Sequence, residues 1–149
     1  MLRLIISILI FLIPTVFYVI RMSIIARSKK SREEKYAYSR KVVNFIAKKS
    51  RATVRVIGKE NIPDKNGFVM YANHQGKYDV LGVIVSHDKP ITYVMDAKRS
   101  KLFIADQLTE LLKAQRLDKE DIKQQVKVIN DVSTEIKAGR RYILFPEGG

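Results

Sequence analysis

The sequence predicts an α/β fold: a central, mostly parallel sheet covered by helices, preceded by a membrane-associated helical N-terminus. Three observations carry this. From Thr53 onward, short apolar runs alternate with segments of helical periodicity, the pattern of strands joined by crossover helices. Before that, Leu4 to Ile20 contains no charged residue and is bracketed by Arg3 and Arg21. The length, 149 residues, suits one domain with a real core and is too short for two comfortable ones.

Taken in order, Leu4–Ile20 would form a helix about 25 Å long, at the short end of what spans a bilayer core. Pro14 lies within it and should kink it. A cleaved signal peptide fits poorly, because no small-x-small site precedes the basic block that follows. A single-pass transmembrane helix and a helix that dips into one leaflet both fit, and either places the chain at a membrane. Residues 32–50 read as a second, basic amphipathic helix: Glu33 and Glu34 stand near its start, Lys48 and Lys49 near its end. These two helices, residues 1–50, form the anchoring part; residues 51–149 form the α/β part. There, Thr53–Ile57, Phe68–Ala72, Ile91–Met95 and Tyr142–Phe145 read as strands. Val80–Ser86, Leu102–Leu112 and Ile122–Ile136 read as helices, the last with Val126, Ile129, Val132 and Ile136 as its apolar stripe. Gly139 falls where that helix would end.

Charge narrows the function classes. The formal charge is +13, and residues 21–59 alone carry thirteen Lys or Arg against Glu33 and Glu34. Residues 60–149 carry fourteen basic and thirteen acidic residues, so the excess sits directly after the apolar run. That placement suits anionic phospholipid headgroups, each Lys or Arg near such a surface contributing about 1 kcal/mol. Nucleic acid would suit the charge but not its position beside a lipid-soluble stretch. Cysteine is lacking, which excludes disulfides, thiol catalysis and thiolate metal sites; with only His74 and His87 as imidazoles, no metal site is expected.

Two strings are candidates for chemistry: Asn73-His74-Gln75-Gly76-Lys77-Tyr78-Asp79 and Phe145-Pro146-Glu147-Gly148-Gly149. Each lies beyond the end of an apolar run, where open α/β sheets keep their ligands. His74 and Asp79 are five apart, about 140° around a helix, so they share no helical face. They meet only if His74 is in the strand-to-helix loop and Asp79 in the first turn of the next helix. Gly76 eases that bend, and an anionic Asp79 is favoured by the helix dipole. The Asp79 carboxylate then accepts the His74 Nδ1–H and leaves Nε2 as a base. Taken alone, the spacing also fits an N-capping aspartate beside an ordinary loop histidine. His87, followed by Asp88, Lys89 and Pro90, reads as a helix-terminal residue.

Together the two strings resemble the glycerolipid acyltransferase family, specifically bacterial 1-acyl-sn-glycerol-3-phosphate acyltransferases. Asn73, His74 and Asp79 match its N-H-x-x-x-x-D block, and Phe145 to Gly148 match its F-P-E-G block. Leu117-Asp118-Lys119, with Arg116 just before, looks like its apolar-Asp-Arg element. Gly76 stands where a serine is frequent, Lys119 where the family has arginine, and Gly149 where a threonine commonly follows. The resemblance covers nearly all of this chain, which corresponds to about the first two-thirds of such an enzyme.

The resemblance implies acyl transfer from an acyl carrier protein or coenzyme A thioester to lysophosphatidic acid, giving phosphatidic acid in phospholipid biosynthesis, with no further cofactor. His74 would be the general base, oriented by Asp79; Arg116 and Lys119 would hold the acceptor phosphate, and Glu147 and Gly148 would close the acceptor pocket. Backbone N–H groups near Gly76 would stabilise the oxyanion. Work on a lipid acceptor implies residence at the cell membrane with the catalytic domain on the cytoplasmic face. Another acceptor, such as glycerol 3-phosphate or a different lysophospholipid, and a non-catalytic membrane-anchored lipid-binding protein are the alternatives.

Overall fold

The computed structural model of the chain describes residues 2–76, 78–101 and 103–146. Helix α1 (Leu2–Arg27) runs through Pro14 and continues past the uncharged stretch. Its second half lays Val19, Met22 and Ile25 into the core and leaves Leu12, Ile13, Val16, Phe17, Ile20 and Ile24 exposed. Among the described residues no helix is long and apolar enough to cross a membrane, so the expected transmembrane helix finds no support. Helix α2 (Arg32–Lys49) begins on a capping box. Ser31 Oγ accepts the Glu34 N–H at 3.1 Å, and the Glu34 carboxylate accepts the Ser31 N–H at 2.9 Å.

Strand β1 (Phe68–Tyr71), helix α3 (Asp79–Ser86), strand β2 (Thr92–Asp96) and helix α4 (Phe103–Leu112) follow, then β3 (Gln115–Leu117), α5 (Ile122–Lys137) and β4 (Arg141–Leu144). The sheet is entirely parallel, in the order β1-β4-β2-β3. Register pairs Phe68 with Arg141 and Tyr71 with Leu144, and Asp96 with Leu117. Every strand therefore ends at one edge, and the loops after β1, β4, β2 and β3 lie side by side along it.

Side-chain alternation along the strands splits the core in two. On one face Tyr93 and Ile143 join Ile84, Leu108, Leu111, Tyr36, Val42, Val43 and the α1 residues. On the other, Tyr142 packs with Val128 and Val132 of α5, flanked by Val69, Val94 and Leu117. The larger cluster runs across residue 50: the change of sequence texture there is not a break in packing. Two glycines fix how α5 enters β4. Gly139 has φ +90° and ends the helix. Gly67 has φ +71°, and a Cβ there would lie 2.7 Å from the Ile136 carbonyl oxygen, so the approach of β1 to this corner excludes any side chain.

Two expectations need correction, and one strand was not foreseen. Thr53–Ile57 is not a strand: among the described residues no strand pairs with it, and residues 53–57 are exposed throughout. Its alternation of Val54 and Val56 with Thr53 and Arg55 marks β preference, but a ladder needs a neighbour to accept it. The stripe of α5 is also different. Val128 and Val132 are buried, whereas Val126 and Ile129 are 53% and 62% exposed. The helix carries two apolar rows, and the row that meets Tyr142 is the buried one. Finally, β3 is a three-residue strand with two polar side chains, Gln115 and Arg116, and gives no apolar run to read.

His87 does end a helix, as expected, and is buried at 8% exposure. Its Nδ1 lies 2.9 Å from the Val83 carbonyl oxygen. Burial lowers its pKa below the usual 6.5, and the positive charges of Arg141 and Lys59 act in the same direction. The unfolded chain therefore binds this proton more readily. Stability is fully present above about pH 6.5 and falls as pH drops through the lower folded value. Melting from about pH 7.5 to about pH 5 should show this decline, and His87→Asn, which keeps a donor for Val83, should flatten it.

Candidate active site

The loop after β1 carries His74, and α3 begins at Asp79, as the five-residue spacing requires. The His74 Nδ1 lies 3.0 Å from Asp79 Oδ2. The same oxygen accepts the backbone N–H of Gln75 at 2.7 Å and of Gly76 at 2.9 Å. Three donors converge on one carboxylate oxygen. Asp79 is not the cap of its helix: Tyr78 holds that position and makes no side-chain capping bond. The carboxylate turns back to the histidine loop, and the capping alternative is thereby excluded.

The Gly76 N–H, then the Gln75 N–H and His74, hold the Asp79 carboxyl below the usual carboxylate value. An ionised Asp79 needs a hydrogen on Nδ1, which leaves the lone pair on Nε2. Both side chains keep about a quarter of their surface exposed, so a substrate hydroxyl can reach the ring. The arrangement can take a proton from an alcohol and hold the imidazolium against a fixed anion.

The two sequence strings come together here. Strand β4 lies beside β1, and the Phe145 ring just beyond it sits 4.9 Å from the His74 ring, tilted by 44°. Phe145 limits how the imidazole can swing while Asp79 fixes its rotation. Nothing in the sequence distinguished Phe145 from any apolar residue at a strand end; its position in the F-P-E-G string was the only signal. Glu147 and Gly148, expected to close the acceptor pocket, lie outside the described residues.

Two of the N–H groups expected to face an oxyanion are engaged elsewhere, and Lys77, the next along, lies outside the described residues. The N–H groups of Gln75 and Gly76 are committed to the Asp79 carboxylate, so these two are not free to bind an oxyanion. A side chain would nonetheless fit at residue 76, where an added Cβ meets nothing within 4 Å.

Arg116 and Lys119 stand at the same edge of the sheet, in and just after β3. Arg116 Nη2 donates to Asp106 at 2.8 Å, and its Nη1 lies 2.9 Å from the Glu110 carboxylate. Its charge is thus already met by two acids on α4, spaced i and i+4 on one helical face, a spacing that was readable. Lys119 lies near enough to Asp96 that its charge helps lower that carboxyl, after the backbone N–H groups of Arg99 and Lys98. From β1 to β3 is three strand spacings, about 14 Å. A molecule touching both His74 and Lys119 must lie along the strand ends.

Residues 53–149 match the family model described as Acyltransferase. The chain belongs to the acyltransferase family. The match takes in the His74 loop, the β3 edge and the F-P-E-G string, and it supports acyl transfer as the general chemistry of the chain. No curated protein and no solved structure matches the chain.

Proposed function

We propose that this acyltransferase moves a fatty acyl group from an acyl thioester to the sn-2 hydroxyl of 1-acylglycerol 3-phosphate, giving phosphatidic acid. The thioester is carried by acyl carrier protein or coenzyme A. The observation that carries the reading is the 3.0 Å contact of His74 with an aspartate oxygen already bound by two backbone N–H groups.

His74 Nε2 takes the hydroxyl proton as the oxygen attacks the thioester carbonyl. The tetrahedral adduct collapses by breaking the C–S bond, and the imidazolium returns its proton to the departing thiolate. Asp79 keeps the proton on Nδ1 throughout and lowers the energy of the imidazolium. Covalent catalysis is not invoked, since the base serves the acceptor hydroxyl directly.

Acceptor choice falls to the β3 end of the row. Lys119, which stands where the apolar-Asp-Arg element has its basic residue, is the cation we assign to the acceptor phosphate, with Arg116, held by Asp106 and Glu110, supporting the local field. Offered lysophosphatidic acid, glycerol 3-phosphate and lysophosphatidylcholine in turn, the full reading frame carrying this chain should acylate the first fastest. Lys119→Ala should raise the KM for lysophosphatidic acid about tenfold or more, with little change for the donor. Equal effects on both substrates would move the phosphate site elsewhere, and faster turnover of glycerol 3-phosphate would favour the other acceptor.

We further propose that the chain works on the cytoplasmic face of the cell membrane, with α1 lying in the lipid interface. Its exposed row (Leu12, Ile13, Val16, Phe17, Ile20 and Ile24) supports this, as does the basic segment that follows. High salt should leave the chain on anionic vesicles, because buried apolar surface is not screened by ions. The triple change Ile13→Glu, Phe17→Glu and Ile24→Glu touches only exposed positions, so it should release the chain without unfolding it. Release of the unaltered chain by salt alone would rule out the helix as anchor.

A further inference from the structure

At the opposite edge of the sheet from His74 is a cavity of about 140 Å³ between the α1–α2 turn, the end of α4 and the starts of β2 and β4. Strands of four or five residues put it about 15 Å from the catalytic row. Six basic side chains line it: Lys30, Arg32, Lys35, Lys113, Arg140 and Arg141. Glu33 is the single acid in the lining. These cations come from three separate stretches of chain, so the fold, and not one run of sequence, brings them together.

Two of the cations are buried, Lys35 at 7% and Arg141 at 5% exposure. Buried charges ordinarily meet a carboxylate. Here Lys35 Nζ donates to the Ala26 carbonyl oxygen at 2.9 Å, and Arg141 Nη2 to the Asp64 carbonyl oxygen at 2.7 Å. Both partners are neutral. Among the described residues neither cation forms an ion pair, and the Arg141 Nε–H is buried without a partner. The Asp64 carboxylate pairs outward with Lys89 instead. Two of the remaining cations are already paired, Lys30 with Glu34 and Arg140 with Glu135, whereas Arg32 and Lys113 are exposed at the rim. The capping box occupies the start of α2, so an incoming anion meets side chains there and not the helix end. The volume is about ten times what one water needs.

We propose that this cavity is a second anion site, built for a phosphate monoester group and distinct from the acceptor phosphate site of the catalytic row. A dianion there supplies an ion-pair partner to Lys35 and Arg141, which have none among the described residues, and the planar fork of a guanidinium matches phosphate oxygens. The group can arrive free in solution or as a lipid headgroup, since the exposed face of α1 leads to the same turn.

Thermal melting with inorganic phosphate, against chloride at equal ionic strength, tests the site. Phosphate should raise the midpoint of the unaltered chain by about 2–4 °C or more, and chloride should not. The rim variant Arg32→Glu with Lys113→Glu changes only exposed residues, so it should keep the unaltered circular dichroism spectrum and lose the shift. Lys119→Ala should retain it, which separates this site from the acceptor reading. A second arm adds vesicles of phosphatidylcholine with and without phosphatidic acid. A rim-dependent response to phosphatidic acid alone would make the source a lipid headgroup, and a response to both would make it the shared phosphate chemistry. If neither probe acts, or if the shift survives in the rim variant and vanishes in Lys119→Ala, the proposal is overturned.

Discussion

Replacing His74 with alanine is expected to lower acyl transfer by on the order of 10²-fold or more while leaving KM for both substrates nearly unchanged. The side chain is a quarter exposed and its described hydrogen bond goes to Asp79, so its removal leaves no buried core cavity. The fold should survive, and the loss should appear in kcat. The assay belongs in the full reading frame that carries this chain, with lysophosphatidic acid as acceptor. A histidine that merely filled a loop would leave turnover intact when replaced, and the general base would then have to be another group. Phe145 gives a graded companion. Its ring lies 4.9 Å from the imidazole, so truncation there should loosen the base without removing it and cost less than the loss of His74.

The pairing of His74 with Asp79 was legible because both constraints are local. A strand end, a glycine and an acidic first helical turn leave few ways to arrange five residues. What the sequence concealed was the identity of the groups competing for the carboxylate. Backbone N–H groups carry no residue label, so the donors at Gln75 and Gly76 became evident only from the loop's course. Helices α3 and α4 were readable from their apolar spacing to within a residue. Helix α5 was readable as a helix but not in its orientation, since Ile122, Val126 and Ile129 form as good a row as Val128, Val132 and Ile136. Only the opposing sheet selects between them.

Non-local features were the least legible. The insertion of β4 between β1 and β2 brings Phe145 to His74 across about seventy residues of sequence. Strand β3 was invisible because two of its three side chains are polar, one of them an arginine whose partners sit on α4. The same holds for the basic cavity: its cations are spread from Lys30 to Arg141 and no window of sequence contains them. The basic excess of residues 21–59 therefore has more than one destination, with part of it turned toward the sheet and part left on the surface.

Asp79→Asn is expected to cost catalysis about as much as loss of the base itself, on the order of 10²-fold or more in kcat, although the change is nearly isosteric. An asparagine can accept one N–H from the loop through its carbonyl, but its amide can also donate to Nδ1. That bond stabilises the tautomer with hydrogen on Nε2, the wrong form for a base. Because the two residues act as one unit, His74→Ala combined with Asp79→Asn should be little worse than either alone. Stability should fall too, by about 1 kcal/mol, less than the usual contribution of a charged hydrogen bond because the carboxylate is partly solvated. Its pH dependence provides a separate check. Binding to the N–H groups of Gly76 and Gln75 holds the folded Asp79 carboxyl below its unfolded value of 3.8. Its contribution is therefore present above about pH 3.8 and lost as pH falls through the folded value, and the asparagine variant should lack that limb. An Asp79→Asn protein with unimpaired kcat would show that the carboxylate serves the loop's shape alone and leaves the tautomer of His74 to other groups.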